Sequence, residues 1–446
     1  MSDHLQKQLL PRHVQMMALG GAIGAGIFQG SAETISAAGP GVIFSYALAG
    51  ILLYIVMSAM AEMALGFAGT DLRGLVHKAF GTRVSFILGW LYFIQWVLVM
   101  AVEIVTAGTF LQYWFSVPVW LLSLIVTLVI IAINLFSVRL FGEIEYWLTS
   151  VKIVTLIVFV ILGALLLFGI IPSAQAPGLT NYRVHGGFFP LGWQGVLSSL
   201  LIVIFSYGGT EMIGLTITEM KDAKKTLPRV IKGVILRICL FYVLPLLIIT
   251  GLIPWDQVKS SGSPFVEVLS AVGLKGVANI MNFILLTAVI SAANSGMYAT
   301  TRMLYSLAGE KEAPAFFTRL GKRGVPIYAL AASSVCLFLG SLVAFIAPES
   351  VFQYLMGIPG YTVILTWILI CLSHLKLRGK YERTPDFRLS FFPFTTGITV
   401  IVLAAIMIFV LLSPKNLINT IVYLAIILVL TIASQWLKPN QRILTE

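Results

Sequence analysis

Long apolar segments alternate with short polar loops along almost the whole chain. An α-helix needs roughly 20 residues to cross a hydrocarbon core of about 30 Å, and each apolar segment is about that long or longer. The pattern therefore predicts twelve membrane-spanning helices in a single domain over residues 1–446. The segments lie at about 14–36, 41–65, 84–114, 118–137, 145–171, 194–220, 230–253, 273–307, 326–347, 351–375, 391–412 and 417–437.

Composition excludes a soluble fold. Of the 446 residues, 59% are hydrophobic and 11% are charged, so a soluble protein would expose far more apolar surface than water tolerates. The chain is predicted to be an all-α integral membrane protein.

The basic residues predict the orientation of the spans. If the N-terminus is cytoplasmic, the outer loops contain only four of the 29 Lys and Arg residues, at positions 183, 259, 275 and 415. Positive residues stay on the cytoplasmic side of membrane proteins. We therefore expect a multi-pass protein of the cell (plasma) membrane with both termini in the cytoplasm.

The net charge of +11 is spread over all the inner loops. This distribution indicates topology and contact with anionic membrane lipid rather than nucleic-acid binding. No obligatory protein partner, cofactor or metal is predicted. The three cysteines lie in apolar spans without a CxxC motif, so neither a disulfide nor a zinc site is expected.

Two of the apolar spans are interrupted by glycine. The first has glycines at 20, 21, 24, 26 and 30, and the sixth has Gly208-Gly209 within the stretch 205–211. The pairs 20/24 and 26/30 also fit the small-xxx-small spacing of closely packed helices. Because each glycine weakens a helix by roughly 1 kcal/mol relative to alanine, the density of glycines and the second break favour discontinuous helices 1 and 6.

The two breaks lie five spans apart, which predicts an internal repeat. An odd number of spans per repeat gives the halves opposite orientations in the membrane. The predicted halves are about 14–171 and 194–375, with two extra helices at about 391–437.

Broken helices offer backbone groups to a ligand inside the membrane. A half-helix N-terminus attracts a carboxylate, while the carbonyls at the end of the preceding half attract an ammonium group. A zwitterion fits two such breaks, so an α-amino acid is the predicted ligand.

Several motifs occur in an order typical of one family. They are GGAIGAGIF at 20–28, AGPG at 38–41, FSYGGTEMIG at 205–214, NSGMYATTRMLYSLAGEKEAP at 294–314 and KRGVP at 322–326. Together these motifs resemble the bacterial amino-acid permeases of the amino acid-polyamine-organocation superfamily, over nearly the whole chain. The stretch GFAGTDLR at 66–73 departs from many relatives, which leaves the substrate open.

The resemblance implies a leucine-transporter-like fold of five plus five inverted helices with two appended helices. It also implies secondary active uptake of an amino acid, usually driven by protons. By the same resemblance, Tyr207 would form an aromatic lid. The backbone that would hold the substrate carboxylate is that of Ile23, Gly24, Ala25, Gly26 and Ile27, and the backbone that would face the amino group is that of Phe205, Ser206, Tyr207, Gly208 and Gly209.

Proton coupling requires a titratable group within the membrane, and the five histidines fall in loops or at span ends. Glu103 lies about ten residues before Tyr113, or roughly 15 Å along a helix, close to the midplane. A midplane carboxylate is functional by default, although a structural hydrogen bond remains the alternative.

Lys152 and Glu211 are the other predicted proton-coupling residues. Lys152 could extend its ammonium to the interface or be buried. The resemblance favours burial, because in proton-coupled relatives a lysine here replaces the sodium ion of sodium-coupled relatives. Glu211 is expected to support the break in helix 6 more than to couple protons. Glu62 and Glu219 are expected to form gate or loop salt bridges.

The predicted function is import of a neutral amino acid by proton symport, with an amino-acid or polyamine exchanger as the alternative. An ion channel would need charged rings or filter loops. An enzyme would need a nucleophile and base, or metal ligands, at depth. The side-chain pocket is expected to include Val99, Ser291 and Tyr354.

Overall fold

The computed structural model describes residue 16 and residues 23–67, 70–134, 138–171, 179–212, 214, 223–258, 262–321, 324–346 and 351–435. Within these ranges the chain is nearly all helical. They contain no β-strand, only an isolated bridge between Leu320 and Pro326. The expectations for Gly20, Gly21 and Glu219 lie outside the described residues.

Seventeen α-helices follow one another through the described ranges. The first nine are α1 Ala25–Phe28, α2 Gly30–Ala38, α3 Val42–Gly66, α4 Leu72–Phe80, α5 Thr82–Leu111, α6 Val119–Asn134, α7 Val138–Leu167, α8 Gly192–Tyr207 and α9 Ala223–Lys232. The others are α10 Val234–Ile238, α11 Leu244–Leu252, α12 Pro264–Ala271, α13 Lys275–Gly309, α14 Ile327–Ile346, α15 Val351–Leu377, α16 Phe394–Leu411 and α17 Leu417–Ser434. A π-helical turn, Cys239–Val243, joins α10 to α11.

Eight helical stretches in the described residues are long and apolar enough to cross a membrane. Three further apolar helices are shorter, at Val119–Asn134, Gly192–Tyr207 and Ile327–Phe338. The all-helical, multi-pass class is therefore confirmed. The count of twelve spans and the inverted repeat stay predictions.

Helices α5 and α13 lie at the centre and pack against each other along much of their length. Small residues permit this approach. At Gly296 of α13, an added Cβ would lie 2.4 Å from the Cγ of Met100 on α5. α13 also packs against α7, so α5 and α7, which carry Glu103 and Lys152, are both fixed by the same helix.

Glu62 ties the end of α3 to α15 and the segment after it. Its carboxylate lies 2.8 Å from Arg378 Nε and 3.2 Å from His374 Nε2. It also accepts hydrogen bonds from the Leu389 N–H at 2.7 Å and the Tyr381 hydroxyl at 3.2 Å. The expected salt bridge of Glu62 is thus confirmed, at the membrane side predicted to face the cytoplasm.

Candidate functional site

A helix starts at Ala25, directly after an extended residue. Gly24 has φ −146° and ψ −151°, and its carbonyl accepts the N–H groups of Ile27 and Phe28 at 3.2 Å each. Residues 17–22, on the other side of the predicted break, lie outside the described residues. What is observed is therefore the beginning of a helix inside the apolar segment.

A protein carboxylate caps this helix. The Ala25 N–H donates to both carboxylate oxygens of Glu103, at 3.0 Å each. Glu103 is 3% exposed, and a hydrogen bond to an ionised carboxylate is stronger than one between neutral groups. Glu103 therefore occupies the position that was predicted for the substrate carboxylate.

The glycines of the first helix allow two close approaches. A Cβ added at Gly24 would lie 2.3 Å from Glu103 Oε1, and one added at Gly26 would lie 2.7 Å from the Cα of Ser206 on α8. Both distances are too short for any side chain. These glycines therefore permit close packing, and their role in interrupting the helix stays a prediction.

Lys152 is buried and lies on the carbonyl side of the same turn. It is 1% exposed, and its Nζ donates to the carbonyl of Ile23 at 3.1 Å. Its ammonium interacts electrostatically with the Glu103 carboxylate. Burial excludes the alternative in which Lys152 extends to the interface, and the segment Ile23–Ala25 lies between an acidic and a basic side chain.

Glu145 belongs to this cluster and was not predicted. It is fully buried and interacts electrostatically with Lys152. Both of its oxygens accept from Ser291 Oγ at 2.8 Å, and Oε1 also accepts from Thr149 Oγ1 at 3.2 Å. The available signal was its spacing, since seven residues on a helix make about two turns and place Glu145 and Lys152 on one face.

The residues expected in the side-chain pocket differ in burial and in hydrogen bonding. Ser291 is fully buried and its hydroxyl is hydrogen-bonded to Glu145 rather than free for a substrate. Val99 is half-buried against the core. The side chain of Tyr354 lies outside the described residues.

The break in the sixth segment is stabilised by Glu211, which lies two residues after Gly209. α8 ends at Tyr207, and Gly209 has φ +100°, a conformation that favours glycine. The Gly209 N–H donates to Glu211 Oε2 at 3.1 Å, and Gln95 Nε2 donates to Oε1 at 3.1 Å. Glu211 is fully buried and makes the backbone contact that its support role requires.

Tyr207 lies in an aromatic cluster in this structure, and its role as a lid stays a prediction. Its hydroxyl donates to the carbonyl of Tyr46 at 2.9 Å. Its ring packs edge-on against Tyr46 and Tyr242, with centroid distances of 5.8 and 4.7 Å. The side chain is 1% exposed, because it is part of an aromatic cluster between α8, α3 and the π-helical turn.

The backbone carbonyls before Gly208 already have protein donors. Phe205 O accepts from the Gly208 N–H at 2.9 Å, and Ser206 O accepts from the Tyr242 hydroxyl at 3.2 Å. Contact of this stretch with a substrate amino group stays a prediction. It would require these hydrogen bonds to be shared or exchanged.

A cavity of about 730 Å³ lies on the side of the break predicted to face outward. It is bordered by α2, α8, α15 and the turn between α16 and α17. At Gly30 of α2, an added Cβ would lie 3.1 Å from Met356 Cε and 3.3 Å from Ile202 Cγ2, two residues that line the cavity. The helix that follows the break therefore forms part of the cavity wall.

No group of three or more His, Cys, Asp or Glu residues that could hold a metal ion occurs in the described ranges. The buried charges of the site are Glu103, Glu145, Lys152 and Glu211. They can bind opposite charges and exchange protons.

The chain is similar to amino-acid transporters over almost its full length. The family model described as amino acid permease matches residues 13–442. YvbW, an uncharacterized amino acid permease of Bacillus subtilis, is 43% identical and covers 96% of each chain. The gamma-aminobutyric acid permease of Bacillus subtilis is 39% identical over 91% of this chain and 87% of its own. The aromatic amino acid transport protein AroP of Salmonella typhimurium is 35% identical over 92% and 91%.

Proposed function

The chain belongs to the amino acid permease family, a family of membrane transporters and not of enzymes, and we propose that it imports a neutral amino acid across the plasma membrane by proton symport. The observation that carries this proposal is the buried pair Glu103 and Lys152, which contacts the Ala25 N–H on one side and the Ile23 carbonyl on the other.

A neutral zwitterion suits this site. γ-Aminobutyrate and the aromatic amino acids, named for two of the relatives, each carry one ammonium and one carboxylate. The substrate carboxylate would replace Glu103 at the Ala25 N–H. The ammonium and carboxylate that these substrates share thus fit the site. The named substrates of the two relatives differ in the groups that they carry besides these two.

Competition between two carboxylates couples the substrate to a proton. When the substrate carboxylate takes the Ala25 N–H, Glu103 loses that donor and acquires a like charge beside it. A nearby like charge disfavours the ionised form, so Glu103 takes up a proton as the substrate binds. Release of the substrate on the inside returns Glu103 to the Ala25 N–H and frees the proton.

One proton per substrate is enough for accumulation. A charge that crosses 100 mV supplies about 2.3 kcal/mol, and tenfold accumulation costs about 1.4 kcal/mol. One proton therefore supports roughly fiftyfold concentration. The cavity beside α2 and α8 would be the entry from outside, and alternation of the two predicted halves would open the inner side.

The test is transport by purified protein in proteoliposomes. A thermal-shift screen of the amino acids first identifies a ligand, since a ligand at 100 times its Kd stabilises by about 2.7 kcal/mol. An inward proton gradient should then drive uptake, with simultaneous entry of protons that a pH dye reports. Uptake that survives collapse of the gradient but requires internal substrate would identify an exchanger and reject symport.

Glu103→Gln sharpens this test. The amide oxygen can still accept from the Ala25 N–H, but the side chain cannot take up a proton. We expect the variant to lose accumulation driven by the proton gradient and to retain exchange of internal for external substrate. Accumulation at the wild-type level would contradict the role given to Glu103.

A further inference from the structure

Glu145 is a buried carboxylate that the competition at Ala25 does not use. It lies on α7, seven residues before Lys152, and thus about 10 Å along the helix axis. α7 begins at Val138, at the end that the basic residues predict to be cytoplasmic. Glu145 is therefore displaced from the break toward the cytoplasm.

The surroundings of Glu145 suit both of its protonation states. The hydroxyls of Ser291 and Thr149 donate to the carboxylate, and a hydroxyl can equally accept a hydrogen bond. Protonated Glu145 could donate to Ser291 Oγ without loss of its partner. Backbone N–H groups and a guanidinium, by contrast, can only donate.

Lys152 is the charged group that faces Glu145. No other charged side chain interacts electrostatically with this carboxylate among the described residues. Lys152 in turn faces both Glu145 and Glu103. Lys152 thus interacts with two carboxyl groups, Glu103 at the Ala25 N–H and Glu145 about two helical turns earlier on α7.

We propose that Glu145 is the proton-relay residue that accepts the proton from Lys152 and passes it to the cytoplasm. This inference rests on the proposed symport. The Lys152 N–H bond breaks and an O–H bond forms on Glu145, which leaves a neutral amine and a carboxylic acid. Glu145 then loses its proton to cytoplasmic water, and Lys152 regains one from the Glu103 carboxylic acid. The sum is transfer of one proton from Glu103 to the cytoplasm.

Glu145 also joins α7 to α13 through Ser291, so the experiment must separate a relay from a purely structural bridge. Glu145→Gln keeps an oxygen that can accept from the hydroxyls but cannot carry the proton. Two assays on the same proteoliposomes provide the separation. Counterflow exchange needs the site and the conformational change, and gradient-driven accumulation needs proton release as well.

We expect Glu145→Gln to retain counterflow within twofold of wild type and to lose at least tenfold in gradient-driven accumulation and in substrate-dependent proton entry. Glu143→Gln is the matched control, because it removes a half-exposed carboxylate two residues away on α7. It should leave both assays unchanged.

Two results would overturn the relay. One is Glu145→Gln accumulating substrate like wild type, and the other is an equal loss of counterflow and accumulation, which indicates a structural bridge alone. If Glu145→Gln does not fold, Glu145→Asp is used instead to test the relay. We expect this variant to change the pH profile of accumulation, and an unchanged profile rejects the relay. Wild-type protein without substrate-dependent proton entry would instead reject the symport itself.

Discussion

The two helix breaks are held in different ways. At the first, the backbone of Ile23–Ala25 contacts Glu103 from α5 and Lys152 from α7. At the second, the Gly209 N–H contacts Glu211, only two residues away in the chain, and the other partner of Glu211 is the uncharged Gln95.

From this difference we expect the first break to act as a switch and the second as a rigid support. Glu103 and Lys152 belong to helices other than the one they contact, so a change in either charge alters the interaction between helices. Glu211 lies on the same segment as the Gly209 N–H that it accepts from, and its partner on α5, Gln95, is uncharged. We therefore expect the first break to respond to a proton or a substrate and the second to change less during transport.

The aromatic cluster strengthens the second break further. Tyr207 contacts Tyr46 and Tyr242, and its hydroxyl is bonded to backbone. Such buried aromatic pairs stabilise by about 0.5–1.5 kcal/mol beyond area burial. We expect substitutions at the first break to abolish coupled transport and those at the second to act mainly on stability.

The largest effect is expected from Gly24→Val. The new Cβ would lie 2.3 Å from Glu103 Oε1 and 3.0 Å from Ala292 Cβ, so the carboxylate and the helix start must move apart. We expect substrate affinity to fall by about a hundredfold, or about 2.7 kcal/mol, in a binding assay on purified protein.

Gly276→Val is the matched control for Gly24→Val. It places the same side chain in a helix, but nothing lies within 4 Å of the added Cβ. The Gly276→Val variant should bind the substrate with wild-type affinity. If Gly24→Val also binds normally, then Glu103 and the Ala25 N–H have no part in substrate binding.

The second largest effect is expected from Lys152→Ala. It removes the donor to the Ile23 carbonyl and leaves Glu103 and Glu145 buried without a counter-charge. Loss of one partner of a buried ion pair costs about 3–5 kcal/mol, so we expect lower thermal stability and no gradient-driven accumulation.

The variant Lys152→Ala/Glu103→Gln tests whether those two effects have one origin. Removal of both charges should restore part of the stability while accumulation stays absent, as measured by a double-mutant cycle. Strictly additive losses of stability would show that the two side chains do not interact energetically.

The sequence was sufficient to predict the all-helical membrane class and three of the four buried ionisable residues near the breaks. Apolar length predicts spans, and glycine density within a span marks an interruption. Glu103, Lys152 and Glu211 were found because ionised groups in apolar segments are few. All three contact the backbone at or beside the predicted breaks.

Tertiary contacts explain what sequence reasoning missed. The predicted fifth span began at about residue 145, which agrees with the apolar stretch Glu143–Leu167 of α7. A position at the start of a span does not report burial, and Glu145 is buried because it packs against Ser291 of α13. The direction of the Tyr207 side chain depends on α3 and the π-helical turn, and no local pattern reports those contacts.

Glu211→Gln should have a smaller effect than any substitution at the first break. The amide oxygen can accept from the Gly209 N–H, and Gln95 can present its own oxygen to the new amide group. We expect the pH profile of uptake to be unchanged and the maximal rate to fall by less than about threefold, because the amide can keep both hydrogen bonds of the carboxylate.

Direct comparison with Glu103→Gln makes the Glu211 result informative. Both variants replace a buried carboxylate by its amide, yet only Glu103→Gln should abolish accumulation driven by the proton gradient. A loss of accumulation in Glu211→Gln as large as that in Glu103→Gln would make the second break part of the proton path. The two breaks would then no longer differ as a switch and a rigid support.

The smallest effect is expected from Tyr207→Phe. It deletes the hydroxyl that donates to the Tyr46 carbonyl at 2.9 Å and leaves the ring contacts in place. The loss should be about 1 kcal/mol of stability, visible as a lower midpoint of thermal unfolding, with substrate affinity within twofold of wild type. A large drop in affinity at unchanged stability would instead place this hydroxyl at the substrate during transport, and the aromatic cluster would then have to open in each cycle.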